Sequence, residues 1–212
     1  MVGGELLKLL GDDGRYAHVV SLVRRALVTT EPIENRVVSF EDLDRYTLPD
    51  VDDAYCCLGT TRRTAGSDEA FRRVDLDYVL GYARAAQRAG AVRFLLVSAT
   101  GANPQSRLLY PRVKGEVEAA VSSLGFSVVG IARPSLLTGH RTEARGGEAA
   151  ARLASHLITP FMVGPLRRFR PIEARAVAKG LVYAAFTAPP GVTVLSSADL
   201  EAAASDAADE QA

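Results

Sequence analysis

Chemistry-bearing residues concentrate between Ser98 and Lys114. The apolar run from Val92 to Val97 (VRFLLV) delivers Ser98-Ala99-Thr100-Gly101, and one short stretch later comes Tyr110-Pro111-Arg112-Val113-Lys114. A tyrosine hydroxyl passes a proton to or from a substrate oxygen when a nearby ammonium lowers its pKa from about 10, and i, i+4 helical spacing puts Lys114 on the face of Tyr110. The Ser98 hydroxyl completes a cradle for that oxygen. Only Lys8, Lys114 and Lys179 of the 25 basic residues are lysines, and the chain has seven tyrosines. Chance therefore supplies only about 0.1 such Tyr-x-x-x-Lys pairs. The plainer alternative is a half-buried tyrosine beside a solvated lysine; the strand-end serine favours the chemical reading.

These residues need elements to position them, and short β-branched runs do alternate with helical ones. Glu5 to Leu10 is apolar at helical spacing and ends at Gly11-Asp12-Asp13-Gly14. Strands are expected at His18 to Val23, Arg36 to Phe40, Ala54 to Leu58, Val92 to Val97, Phe126 to Ala132 and Val192 to Leu195. Helices are expected over Asp68 to Ala89, stopping at Gly90, over Tyr110 to Leu124, stopping at Gly125, and over Ala174 to Phe186. That alternation implies right-handed βαβ units, hence an α/β, doubly wound parallel sheet with helices on both faces. Open parallel sheets bind ligands at the carboxyl ends of their strands, which is where Ser98 falls. The expected organisation is one domain over residues 1–200. Within it, glycines and prolines loosen the pattern over 135–170, a lid or substrate segment, and an alanine-rich acidic tail over 201–212 is expected to fray.

The 212 residues are 48% hydrophobic, with 25 basic and 25 acidic side chains and a pI of about 6.8. A balanced charge gives no field to recruit nucleic acid or anionic lipid, and the small cluster Arg167, Arg168, Phe169, Arg170 reads as a solvated face. No apolar stretch approaches the ~20 residues that span a bilayer, and no secretory signal is visible, so a cytoplasmic protein is expected. Cys56 and Cys57 read as small core residues, neither disulfide nor metal site. His140 and His156 lack ligand-spaced partners and read as surface or packing residues, so no metal is expected.

The sequence resembles the short-chain dehydrogenase/reductases, and within them an atypical branch of small NAD(P)-binding oxidoreductases similar to the Tat-interacting protein. The resemblance runs through VGGELLKLL, SLVRR, CLGTTRRTAGSDEAFRRVD, FLLVSATGA, YPRVKGEVE, ARPSLLTG and VGPLRRFRPI. It implies a Rossmann-like fold and a nicotinamide dinucleotide cofactor. Ser98 would then donate to the substrate oxygen, Tyr110 would act as acid/base, and Lys114 would bind the nicotinamide ribose and lower the tyrosine pKa. The family is expected to open with a strand and a G-x-x-G-x-x-G turn over the pyrophosphate. Here Met1-Val2-Gly3-Gly4-Glu5 matches from the third glycine, so the first strand and first two glycines are expected to be missing, through a start placed too far downstream or, second, because the chain is a degenerate copy or a fragment. A flexible leader is the other reading of Gly3-Gly4.

Cofactor choice is legible after HVVSLV. An acidic residue there would accept from a ribose 2′-hydroxyl, whereas Arg24 and Arg25 suit a 2′-phosphate, which favours NADP over NAD; a solvated basic turn is the alternative. Gly59, Thr60 and Thr61 would lie along the adenosine half, or form only a turn. Arg133 and Pro134 end a strand beside the expected nicotinamide pocket, where Pro134 leaves a carbonyl without a competing donor, or they mark a plain strand exit. Two functions follow. One is an NADP-dependent oxidoreductase acting on a small carbonyl or alcohol; the other is a non-catalytic nucleotide-binding regulatory or interaction protein, or an inactive truncated form.

Overall fold

The computed structural model describes residues 1–28, 32–138 and 171–209. Its helices are α1 (Val2–Asp12), α2 (Arg62–Ala65), α3 (Asp68–Arg72), α4 (Tyr78–Arg88), α5 (Leu109–Ser122), α6 (Ala174–Thr187) and α7 (Ser197–Asp209). Its strands are β1 (Val19–Val23), β2 (Ile33–Val37), β3 (Asp53–Cys56), β4 (Arg93–Val97), β5 (Val128–Arg133), β6 (Leu137–Thr138), β7 (Ile172–Glu173) and β8 (Gly191–Ser196). Every pairing is parallel, as the βαβ alternation implies.

The strands form one sheet in the order β3-β4-β5-β8, a separate pair β1-β2, and the short pair β6-β7. Laid side by side, the first two groups are the halves of a doubly wound sheet. The strand that would pair with β1 on one side and β3 on the other is not among the described residues.

Alternation along each strand divides the apolar side chains between two faces. Ala54, Cys56, Phe94, Leu96, Val129 and Ile131 point into a core closed by Phe71, Val79, Val113 and Val117 of α3, α4 and α5. Tyr55, Cys57, Leu95, Val97 and Ala132 point the other way, against Val2, Leu6 and Leu10 of α1 and Val177, Ala178 and Leu181 of α6. A strand buried on both faces reads as a continuous apolar run, which is why FLLV carries no polar interruption.

Helix ends follow local chemistry. Gly90 and Gly125, at φ 84° and 88°, stop α4 and α5 in the left-handed region that side-chain-bearing residues avoid. Gly11 does not stop α1 as expected. It lies inside the helix, where a Cβ would come within 2.8 Å of the Ile33 side chain, so its role is close approach to β2. Gly3 and Gly4 also lie in α1, not in a leader. The second strand is shifted to Ile33–Val37, because Phe40 opens a 3₁₀ turn that buries Leu43.

The expectation of a frayed tail is corrected for 201–209. These residues continue α7, whose Leu200 is fully buried and packs so closely on α6 that a Cβ at Gly180 would meet it at 2.9 Å. Residues 210–212 lie outside the described residues. So do 139–170, which hold most of the expected lid, His140, His156 and the Arg167–Arg170 cluster.

Candidate active site at the carboxyl edge of the sheet

Ser98 follows β4 directly, its N–H donating to the Ala132 carbonyl at 2.8 Å. The segment after it crosses to β5, where Thr100 donates its N–H to Pro134 and its hydroxyl to the Arg133 carbonyl, at 3.0 and 2.9 Å. It then turns back over α5, where Asn103 N–H donates to the Pro111 carbonyl at 2.8 Å. Gly115 makes this docking possible, since a Cβ there would lie 2.2 Å from the Pro104 nitrogen. One loop thus carries Ser98 and braces the helix turn that carries Tyr110.

The Ser98 Oγ is buried and has no hydrogen-bond partner among the described residues. Buried hydroxyls are otherwise nearly always paired, so an orphan at a strand's carboxyl end is the kind of group a ligand oxygen satisfies.

Tyr110 and Lys114 lie on the first turns of α5. Tyr110 is 42% exposed, its ring stacked on Phe71 at 5.7 Å. Lys114 is only 5% exposed, and its Nζ lies 2.7 Å from Oδ1 of a fully buried carboxylate, Asp75. This is a charge contact without the alignment of a good hydrogen bond. The other oxygen, Oδ2, accepts the N–H of Thr60 at 2.7 Å.

Asp75 was not singled out by sequence reasoning, although a signal exists. Phe71, Asp75 and Val79 fall at four-residue spacing on one helix stripe, so a carboxylate there must be buried and paired. Lys114 does pull the Tyr110 pKa down, as expected, but burial outweighs it. The hydroxyl is raised above its ordinary value of 10.0, by desolvation first; Lys114 pulls it down and Asp75 pushes it back up.

Other candidates occupy distinct places. Gly3, in the first turn of α1, approaches the end of β3 so closely that a Cβ would be 3.3 Å from that of Cys57. Gly59 closes over the charge pair, where a Cβ would lie 3.2 Å from Asp75 Oδ1 and 3.4 Å from Lys114 Nζ. Thr61 caps α2 by accepting the N–H of Thr64. Arg24 and Arg25 leave β1 exposed, with Arg24 5.9 Å over the Phe40 ring.

Arg133 and Pro134 have partners within the chain. Arg133 is ion-paired with Glu118 of α5, with Nε 3.0 Å from Oε1, which braces β5 against α5. The Pro134 carbonyl already accepts from Thr100. Cys56 and Cys57 are free thiols, and burial pushes them up to about 11 and about 12. Among the described residues no cluster of His, Cys, Asp or Glu could hold a metal ion, and no helix is long and apolar enough to cross a membrane.

No family model matches the chain. The rat protein HTATIP2 is 44% identical over 156 residues, which cover 71% of this chain and 64% of that protein. The Emericella nidulans protein fmp52, mitochondrial, is 46% identical over 95 residues, covering 45% of this chain and 41% of that protein. The chain thus spans less than two thirds of the length of both. The Aspergillus fumigatus protein fmp52, mitochondrial, is 32% identical over 206 residues, covering 90% of this chain and 87% of that protein.

Among solved structures, MoeE5 in complex with UDP-glucuronic acid and NAD superposes with a TM-score of 0.68 at 17% identity, over 92% of this chain and 72% of that one. Human epimerase family protein SDR39U1 with NADPH gives 0.62 at 18%, over 98% and 76%. These likenesses establish the fold. The cytoplasmic location expected from the sequence is overturned by the names of the fungal relatives, which are mitochondrial; charge balance and the lack of a secretory signal do not report that distinction. With 32% identity across 87% of the Aspergillus protein, the chain belongs to the family of the HTATIP2 and FMP52 proteins, and its doubly wound parallel sheet is Rossmann-like.

Proposed function

We propose that this protein is an NADP-dependent oxidoreductase acting on a small carbonyl or alcohol. The observation that carries this reading is the Tyr110–Lys114 pair at the sheet's carboxyl edge, with Lys114 buried and held in place. When bound, the nicotinamide would supply or accept the hydride.

The residues present fit such a cofactor. Gly3 sits in the first turn of α1, whose N-terminal amides suit a pyrophosphate. Arg24 and Arg25 stand exposed at the end of β1, where they suit a 2′-phosphate. Gly59, Thr60 and Thr61 would border the adenosine half, and Lys114 the nicotinamide ribose. Ser98 Oγ, buried without a partner, would donate to the substrate oxygen. Tyr110 would move the proton at that oxygen. The names of the fungal relatives support a mitochondrial location for the reaction.

The test is calorimetric titration of NADPH and NADH, with NADPH consumption followed against a panel of small aldehydes and ketones. Expected are tighter binding of NADPH and a Tyr110→Phe variant that binds it but does not turn over. Failure to bind either nucleotide, or turnover surviving in Tyr110→Phe, would overturn the reading. Binding without turnover by the unaltered protein would leave a nucleotide-binding protein that is not an enzyme.

A further inference from the structure

Between α3 and α4 the helix widens for one turn, Arg73–Asp77, into a π-helix. Such single wide turns recur at functional sites, because they re-aim one side chain. The side chain here is Asp75. It is fully buried, yet it reaches α5 to touch Lys114 and the turn after β3 to accept from Thr60. Gly59 has no room for a side chain because that charge pair lies beneath it. Three segments distant in sequence therefore converge on one carboxylate.

We propose that Asp75 is the positioning residue of this site: it fixes the Lys114 ammonium against the Gly59–Thr60 turn and, by cancelling that charge, keeps the Tyr110 hydroxyl in the proton-donating form that carbonyl reduction needs. The inference rests on the acid–base reading of Tyr110 given above. An unopposed ammonium one helical turn from a phenol favours the phenolate, which takes a proton from an alcohol. A carboxylate 2.7 Å from the ammonium opposes that field, and since Lys114 and Asp75 are both buried, little solvent screens the pair. Lys114 on the same helix and Asp75 on the facing π turn are the charged groups that act on Tyr110, and the ring stacked on it, Phe71, carries no charge.

The reaction so poised balances. When bound, a reduced nicotinamide would supply the hydride to the carbonyl carbon and be oxidised by the two electrons it gives up. The C=O π bond opens, and the oxygen takes the proton of Tyr110. Solvent reprotonates the phenolate across its exposed side.

The test reads Tyr110 directly, by ¹³Cζ-tyrosine NMR titration of the full chain, with the resonance assigned through Tyr110→Phe. Asp75→Asn should lower the Tyr110 midpoint by about one pH unit or more, Lys114→Met should raise it, and the double variant should lie near the unaltered protein. An Asp75 that only supports the fold would not give opposite shifts that cancel. If Asp75→Asn does not fold, comparing Lys114→Met with the double variant isolates the same carboxylate, and the double variant must titrate lower. Equal midpoints in that comparison, or an unmoved midpoint in folded Asp75→Asn, overturn the proposal. Carbonyl reduction together with an unmoved midpoint would leave the functional reading standing and sink this one. Absence of nucleotide binding would do the reverse, because the titration needs no cofactor.

Discussion

Gly115→Ala separates helix propensity from packing. In a helix interior alanine is favoured over glycine by about 1 kcal/mol, so an unobstructed site would gain stability. At 115 the added Cβ would meet the Pro104 nitrogen at 2.2 Å, the Asn103 carbonyl carbon at 2.4 Å and Pro104 Cδ at 2.5 Å, where ordinary contact begins at 3.4 Å. Those atoms belong to backbone and a proline ring, so none can rotate away. The loop must lift off α5, straining the Asn103 to Pro111 hydrogen bond. Overpacking of this kind costs about 1–3 kcal/mol and the lost bond about 1 kcal/mol, leaving a net loss of roughly 1–3 kcal/mol after the propensity gain. Urea unfolding followed by far-ultraviolet circular dichroism reads it as a lowered midpoint. Gly4→Ala is the control: with nothing within 4 Å of its Cβ it should keep or slightly raise the midpoint. A Gly115→Ala midpoint at or above that of the unaltered protein would refute the reasoning. Because the same loop carries Ser98, turnover should fall further than nucleotide affinity.

Replacing Arg24 and Arg25 together by alanine should weaken NADPH binding about tenfold or more, the scale of one or two charge-assisted contacts, and leave NADH unchanged; equal losses for both nucleotides would remove the 2′-phosphate assignment. Glu118→Ala should destabilise by about 1–2 kcal/mol, less than the 3–5 kcal/mol of a fully buried pair because a third of the Arg133 side chain reaches solvent. An unchanged urea midpoint would count against that brace. The raised thiols of Cys56 and Cys57 make stability fall in alkali: as pH climbs, the unfolded chain sheds their protons near 9 while the folded chain keeps them to about 11 and about 12. Urea midpoints at pH of about 8 and about 10 should therefore drop less in a Cys56→Ala, Cys57→Ala variant, and an identical drop would contradict the assignment.

Runs such as VRFLLV and FSVVGIA gave up their strands easily, because two-sided burial keeps the stretches Phe94 to Val97 and Val128 to Ala132 free of polar side chains. The glycine stops at 90 and 125 were equally legible. Residues 201–209 misled because alanines and acids resemble a solvated tail, yet one Leu200 seated on Gly180 is enough to dock the helix. At the candidate site, the placing of Tyr110 and Lys114 one turn apart on a single helix was legible from their spacing. Asp75 was not singled out: its four-residue spacing with Phe71 and Val79 marks burial, but nothing in the sequence identifies Lys114 and Thr60, distant along the chain, as its partners. The partners of Arg133 and Pro134 were not legible either, because nothing in the sequence identifies Glu118 and Thr100, distant along the chain.

Alternation along β3 and β4 has a consequence for how the molecule opens. Lys114, Asp75 and Tyr110 are anchored in the core beneath α4 and α5, whereas the first turn of α1 is anchored with α6 on the opposite face. The backbone from Cys57 to Thr60 touches both, since Gly3 packs on Cys57 and Thr60 donates its N–H to Asp75. Amide hydrogen exchange should therefore resolve two units: protons of α1 and α6 opening together, and those of α4 and α5 opening on their own schedule. A ligand seated on α1 would slow the first set, and the contact between Lys114 and Asp75 would stay assembled through openings of α1 and α6.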